Sequence, residues 1–141
     1  MINGILSLAH FSGDEHLGYD ALNIQTDEVI CLARLQDNPG WKKVGRYFFD
    51  PEGMNKAIHA ILEFQDTGLT IIDEIGPLEL QGEGFWPALK TLCKNDQPTL
   101  IVVRESLIEP VCQKISEKAV VFHLNEDNLL KRMTEALLPL Q

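Results

Sequence analysis

The chain has 141 residues, a length that suits one domain, and 45% of them are hydrophobic against 23% charged, which excludes a disordered or fibrous chain. Formal net charge is −9, from 12 basic and 21 acidic side chains; this disfavours a grip on nucleic acid by phosphate neutralisation and points to small-molecule or protein partners. No apolar run approaches the roughly 20 residues of a membrane span, and Met1-Ile2-Asn3-Gly4 does not open a basic leader region, so a cytoplasmic protein with no membrane partner is expected.

The first third reads as strands. Ile5 to Phe11 is short and apolar, Leu17 to Ile24 alternates around Tyr19, Leu22 and Ile24, and Glu28 to Leu35 follows a Thr26-Asp27 turn. The turn-rich Ser12-Gly13-Asp14-Glu15 suits a hairpin, so three adjacent antiparallel strands are predicted. A loop over Gln36 to Trp41 leads to another short strand, Val44 to Phe49. At Asp50-Pro51-Glu52 the pattern changes, because Asp caps a helix, Pro is tolerated at its first position and Glu complements the dipole. Met54, Ala57, Ile58, Ile61 and Leu62 follow at helical spacing, and Gly68 marks the exit.

Leu69 to Ile72 is a continuous apolar run, the pattern of a strand covered on both faces, central and parallel. Phe85 to Lys94 has helical spacing, and Pro98 precedes a second such strand, Thr99 to Val103. A helix near Ile108 to Glu117, a strand at Ala119 to Leu124 and a last helix from Glu126 to Leu138, with Asn125 as cap, complete the alternation. A mostly parallel sheet with crossover helices and added antiparallel N-terminal strands is the expected α/β architecture, in a single domain over 1–141.

The chemistry sits at one point. An apolar strand ending in Asp73-Glu74 delivers two carboxylates to the carboxyl edge of a parallel sheet, where open α/β folds bind ligands. In a nucleotide site Asp73 would hold Mg²⁺ through water and Glu74 would deprotonate the attacking water; otherwise the two are simply the polar end of a strand reaching solvent. Arg104, just after Thr99 to Val103, is expected near the same edge, as a phosphate contact or a surface ion pair. Lys42, Lys43 and Arg46 beside Trp41 form a small basic cluster that reads as a solvated loop. His10, His16, His59 and His123 share no spacing, and Cys31, Cys93 and Cys112 show no metal or CxxC pattern, so these cysteines are expected as buried free thiols.

The string Ile72-Asp73-Glu74-Ile75-Gly76-Pro77-Leu78-Glu79-Leu80 resembles the signature of small P-loop nucleoside-triphosphatases, the cancer-related NTPase family. The likeness extends to Gly18-Tyr19-Asp20, Val44-Gly45-Arg46-Tyr47, Phe49-Asp50, Pro98 to Arg104 and Pro110-Val111. It implies a three-layer P-loop NTPase-like fold with Asp73 as the Mg²⁺ residue and Glu74 as the base, and makes Glu79 an ion-pair or cap residue. Family members begin with a strand, a Walker A loop and a helix that have no counterpart in these residues. The only G-x-x-x-x-G, Gly13 to Gly18, continues as Tyr19-Asp20 where Lys and Ser/Thr are needed.

A domain retaining Walker B without Walker A, at most a weak nucleotide binder and inactive alone, is therefore expected. The alternatives are a pseudoenzyme serving as an interaction or regulatory subunit, an Mg²⁺-dependent NTPase completed by a P-loop from another segment or chain, and an intact NTPase with an unconventional phosphate site. The missing strand is expected to leave a gap beside the Walker B strand. That gap would be filled by Ile5 to Phe11 moving inward, by a P-loop-supplying partner or, the favoured outcome, by a second copy in a homodimer.

Overall fold

A computed structural model of the chain describes residues 1–63, 68–115 and 118–138. Three antiparallel strands open it as expected: β1 (Ile2–Ser12), β2 (Glu15–Asn23) and β3 (Val29–Arg34). The expected strand at Val44 to Phe49 is instead a small hairpin, β4 (Lys42–Val44) and β5 (Tyr47–Phe49). Gly45 makes the difference, since its φ of 59° lets the chain reverse where an ordinary residue would be strained.

The helix α1 (Pro51–Leu62) starts where the Asp-Pro-Glu signal predicts. Asp50 Oδ1 accepts the Glu52 backbone N–H at 3.0 Å, a cap that contributes about 1 kcal/mol. Next come β6 (Leu69–Ile75), the short α2 (Pro77–Leu80), α3 (Trp86–Lys94), β7 (Thr99–Val103), α4 (Ile108–Ile115) and α5 (Leu129–Leu137). The last two residues of the predicted Ile108 to Glu117 helix lie outside the described residues.

Among the described residues the sheet has seven strands in the order β4-β5-β3-β2-β1-β6-β7. Two neighbour pairs are parallel, β1 with β6 and β6 with β7, so the parallel part is shorter than predicted. One reason is that Ala119 to Leu124 forms no strand, with Val120 and Leu124 exposed. An apolar run becomes a strand only when its N–H and C=O groups pair with a sheet edge, and this run pairs with none of the described strands. The last helix likewise begins at Leu129, after Asn128 in the left-handed conformation, and Asn125 is not its cap.

The gap expected beside the Leu69 to Ile72 strand is not there. Ile2 to Ile5 run parallel to Leu69 to Ile72, in register Ile2 with Leu69 and Ile5 with Ile72. The N-terminal half of β1 thus satisfies the β6 edge, which corrects the predicted place of the break. Among the described residues β7, beside β6, is one edge of the sheet, and β4 is the other.

The register puts Asn3, Ile5, Thr70 and Ile72 on one face, all buried. This face carries α1, fastened by Asn3 Nδ2 donating to the Ile61 carbonyl at 2.9 Å, with α3 beside α1 and α4 against α2 and α3. Each fully buried Ile or Leu in this layer contributes about 1.5 to 3 kcal/mol. On the other face Ile2, Leu6, Leu8 and Val102 remain exposed, so β6 is not covered on both sides by the described residues. Helix α5 contributes no buried residue. The three cysteines are free and half-buried, not fully buried. No helix among the described residues is long and apolar enough to cross a membrane.

Candidate functional site

Asp73 and Glu74 stand at the carboxyl end of β6, as their place after the apolar run predicts. The strand does not stop at them: it continues to Ile75 through an irregularity between Ile72 and Ile75 in its pairing with β7. Glu74 sits in this bulge with φ 60°, a conformation uncommon for a non-glycine residue and recurrent beside functional sites. The kink turns successive carboxylates to different surroundings. Asp73 is half-buried and its Oδ2 accepts the Ser7 backbone N–H at 3.0 Å. Glu74 is exposed and bonds to no described residue.

Asp73 ties β1 to β6 beyond their last register pair and still keeps Oδ1 for another ligand. No cluster of three His, Cys, Asp or Glu side chains among the described residues could hold a metal. One carboxylate at a sheet edge fits a magnesium ion that shares its shell with phosphates and water, not a resident metal held by protein alone.

Arg104 follows β7 and is exposed at the same edge. With Asp73 and Glu74 it lines a cavity of about 810 Å³, whose walls also include Ile5, Phe49, Met54 and Phe85. Residues whose roles the sequence did not reveal gather here: Arg46 and Tyr47 line the cavity, and His16 stands behind Tyr47. Arg46 Nη2 donates to the Tyr47 hydroxyl at 2.9 Å, and that hydroxyl lies 3.3 Å from His16 Nδ1. His16 Nε2 is 2.8 Å from the Gly18 carbonyl. With Nε2 protonated the network has one sense, Nδ1 accepting from Tyr47.

Tyr19 packs edge-on to Tyr47 and to His16, with ring centroids 5.2 and 4.8 Å apart. Partial burial first, then its bond to Tyr47 and the Glu74 charge, push the Tyr19 phenol above its ordinary value, while Arg104 opposes them. Tyr19 thus stays protonated and lies within the fields of both Glu74 and Arg104. Sequence distance concealed this cluster; the one legible signal was the Gly18-Tyr19-Asp20 and Gly45-Arg46-Tyr47 likeness to the same family.

Glu79 does serve as a cap. It is buried, and its carboxylate accepts the N–H groups of Gly76 and Phe85, both at 2.9 Å. It holds the 76–85 segment that forms the cavity wall after Glu74. Of the basic cluster, Lys42 pairs with Glu83 and Lys43 lies over the Phe48 ring, so only Arg46 reaches the cavity. Gly13 falls in the β1–β2 turn and Gly18 inside β2, a hairpin and not a strand-to-helix phosphate loop.

A family model described as NTPase matches residues 1–137. The nucleoside-triphosphatase THEP1 of Pyrococcus abyssi is 34% identical over 110 residues, covering 77% of this chain and 60% of the relative. That of Methanosarcina barkeri is 27% identical over 128 residues, covering 90% of this chain and 72% of the relative. The chain therefore spans 60% of the length of the first of these and 72% of the second. Two solved structures share the fold. The crystal structure of THEP1 from Aquifex aeolicus matches with a TM-score of 0.69 and 16% identity, over 99% of this chain and 84% of that one. The solution structure of a human cancer-related nucleoside triphosphatase matches with a TM-score of 0.65 and 20% identity, over 99% and 82%.

Proposed function

Because the chain belongs to the NTPase family whose model spans its residues 1–137, we propose that it is a nucleoside-triphosphatase-like domain that carries the Walker B half of the site and is inactive alone. The observation behind this reading is the gathering of Asp73, Glu74 and Arg104 at one sheet edge in a sequence with no G-x-x-x-x-G-K-[ST]. Asp73 would hold Mg²⁺ through water when a nucleotide is bound, and the ion would supply charge stabilisation to the phosphates there. Glu74 takes a proton from the attacking water, and Arg104 faces the phosphate charge. A lysine and a hydroxyl on a phosphate loop would complete such a site; a P-loop supplied by another segment or chain would turn this domain into an Mg²⁺-dependent NTPase.

The test compares Mg²⁺-dependent ATP and GTP hydrolysis by the wild type and by Glu74→Gln. Equal background rates are expected, since the electrostatic stabilisation that a phosphate loop supplies is a large share of phosphoryl-transfer catalysis. Robust wild-type turnover that disappears in Glu74→Gln would show an intact NTPase with an unconventional phosphate site.

A second reading, a pseudoenzyme acting through protein contact, is favoured by the uncovered sheet face with Leu6, Leu8 and Val102. Its occupant is a second copy of the chain, closing the apolar face by two-fold symmetry in a homodimer. Light scattering at micromolar concentration is expected to give a dimer mass that Leu6→Lys reduces to a monomer. A monomeric wild type would remove this reading.

A further inference from the structure

The chain has four arginines, Arg34, Arg46, Arg104 and Arg132, and they fall into two kinds. Arg34 bonds to Asp20 at 2.7 Å and Arg132 pairs with Glu126, and neither lines the cavity. Arg46 and Arg104 both line it, and among the described residues neither pairs with a carboxylate. In a chain of net charge −9, with 21 acidic side chains, two guanidinium groups kept clear of carboxylates at one cavity mark a place prepared for an anion from outside. Arg46 is exposed in the turn between β4 and β5 and is fixed there by Tyr47. Its Nη2 donates to the Tyr47 hydroxyl at 2.9 Å, and its guanidinium lies 5.1 Å from the centre of the Tyr47 ring. That bond uses one N–H and leaves the rest of the fork for a ligand.

We propose that Arg46 is a second phosphate-binding residue of the nucleotide site, facing the triphosphate from the β4–β5 hairpin while Arg104 faces it from the end of β7. This role rests on the nucleotide-site reading of Asp73, Glu74 and Arg104 and deepens it. A triphosphate chain carries more negative charge than a magnesium ion and one arginine neutralise, and this sequence has no phosphate-loop lysine. A second guanidinium supplies the missing charge, and its planar fork fits two phosphate oxygens at once. Two such forks favour a triphosphate over a bare nucleoside.

Mg²⁺-ATP is titrated into protein labelled with ¹⁵N at the arginine Nε, to about 10 mM, above the millimolar Kd of a weak binder. The four Nε–H signals are assigned by substitution, and sodium chloride of matched ionic strength is the blank. Arg46 and Arg104 are expected to shift saturably with one common Kd, while Arg34 and Arg132 stay unmoved. Arg46→Ala, on an exposed residue, is expected to weaken ATP binding roughly tenfold as read at Arg104, the effect of a hydrogen bond between charged groups. An unmoved Arg34 signal in that variant reports that the β2–β3 region is intact. A saturating Arg104 beside an unmoved Arg46, or an unaltered affinity in Arg46→Ala, overturns the role of Arg46 and leaves the nucleotide site standing. An equal shift of all four arginines overturns it as well, by marking nonspecific attraction. If no arginine moves, the nucleotide reading falls and the role of Arg46 with it.

Discussion

Gly4→Ala is expected to separate β1 from β6 and to destabilise the fold by roughly 4 kcal/mol or more, the range of exceptional single substitutions. Gly4 has φ +120°, and a Cβ added there would lie 1.8 Å from the Ile71 carbonyl oxygen. That oxygen belongs to backbone in the register pair Gly4 with Ile71, so it cannot swing aside as a flexible side chain does. Backbone strain at such a φ adds about 1 to 3 kcal/mol to the overlap. The loss reaches the site, because the same pairing brings the Ser7 N–H to Asp73. Urea unfolding with the slope compared between wild type and variant checks this: the midpoint falls at unchanged slope if the fold is retained. A variant of wild-type stability would mean that β1 does not run beside β6 as described.

The second large effect is at Glu79. Glu79→Ala leaves the buried N–H of Phe85 without an acceptor, at roughly 1 to 3 kcal/mol, and removes the acceptor of the part-buried Gly76 N–H, which water can replace. A loss of about 1 to 3 kcal/mol is expected in thermal or denaturant unfolding. The pH dependence has a definite sign. Burial pushes the Glu79 carboxyl above its ordinary value, and the N–H groups of Phe85 and Gly76 only partly oppose it. An acid whose folded pKa is raised stabilises the fold fully below its unfolded pKa and loses that contribution as pH rises through the folded value. The stability difference between wild type and Glu79→Gln should therefore shrink as pH rises from below about 4 through the raised value. A difference that grows over that window would show that the two N–H bonds, not burial, dominate at this carboxylate.

Glu79 also shows why a role was only partly readable. Its place in the Ile72 to Leu80 string marked it as a cap or ion-pair residue, but its second acceptor role, to Phe85, depends on how the 76–85 segment turns back on itself. The Tyr19, Tyr47 and His16 cluster was less readable still. Tyr47 and His16 are 31 residues apart and meet only because β5 and β2 flank β3 in the sheet.

By itself the sequence determined the elements whose signals are local and mutually consistent: the Asp50-Pro51-Glu52 cap with its helical spacing, the Leu69 to Ile72 run and Thr99 to Val103. It also determined where the carboxylates stand, because a strand of apolar residues carries whatever follows it to the sheet edge, and it carried the family likeness. Tertiary structure decided which strands become neighbours. Ala119 to Leu124 has a strand's composition and forms none, while Ile2 to Ile5 run beside β6, where a gap was expected. The reason is that backbone N–H and C=O groups need partners from distant segments, and no local pattern records which edge will be free. The cavity is likewise a product of assembly, since its walls come from β1, β5, α1, β6, the 76–85 segment and the end of β7, brought together only when the sheet closes.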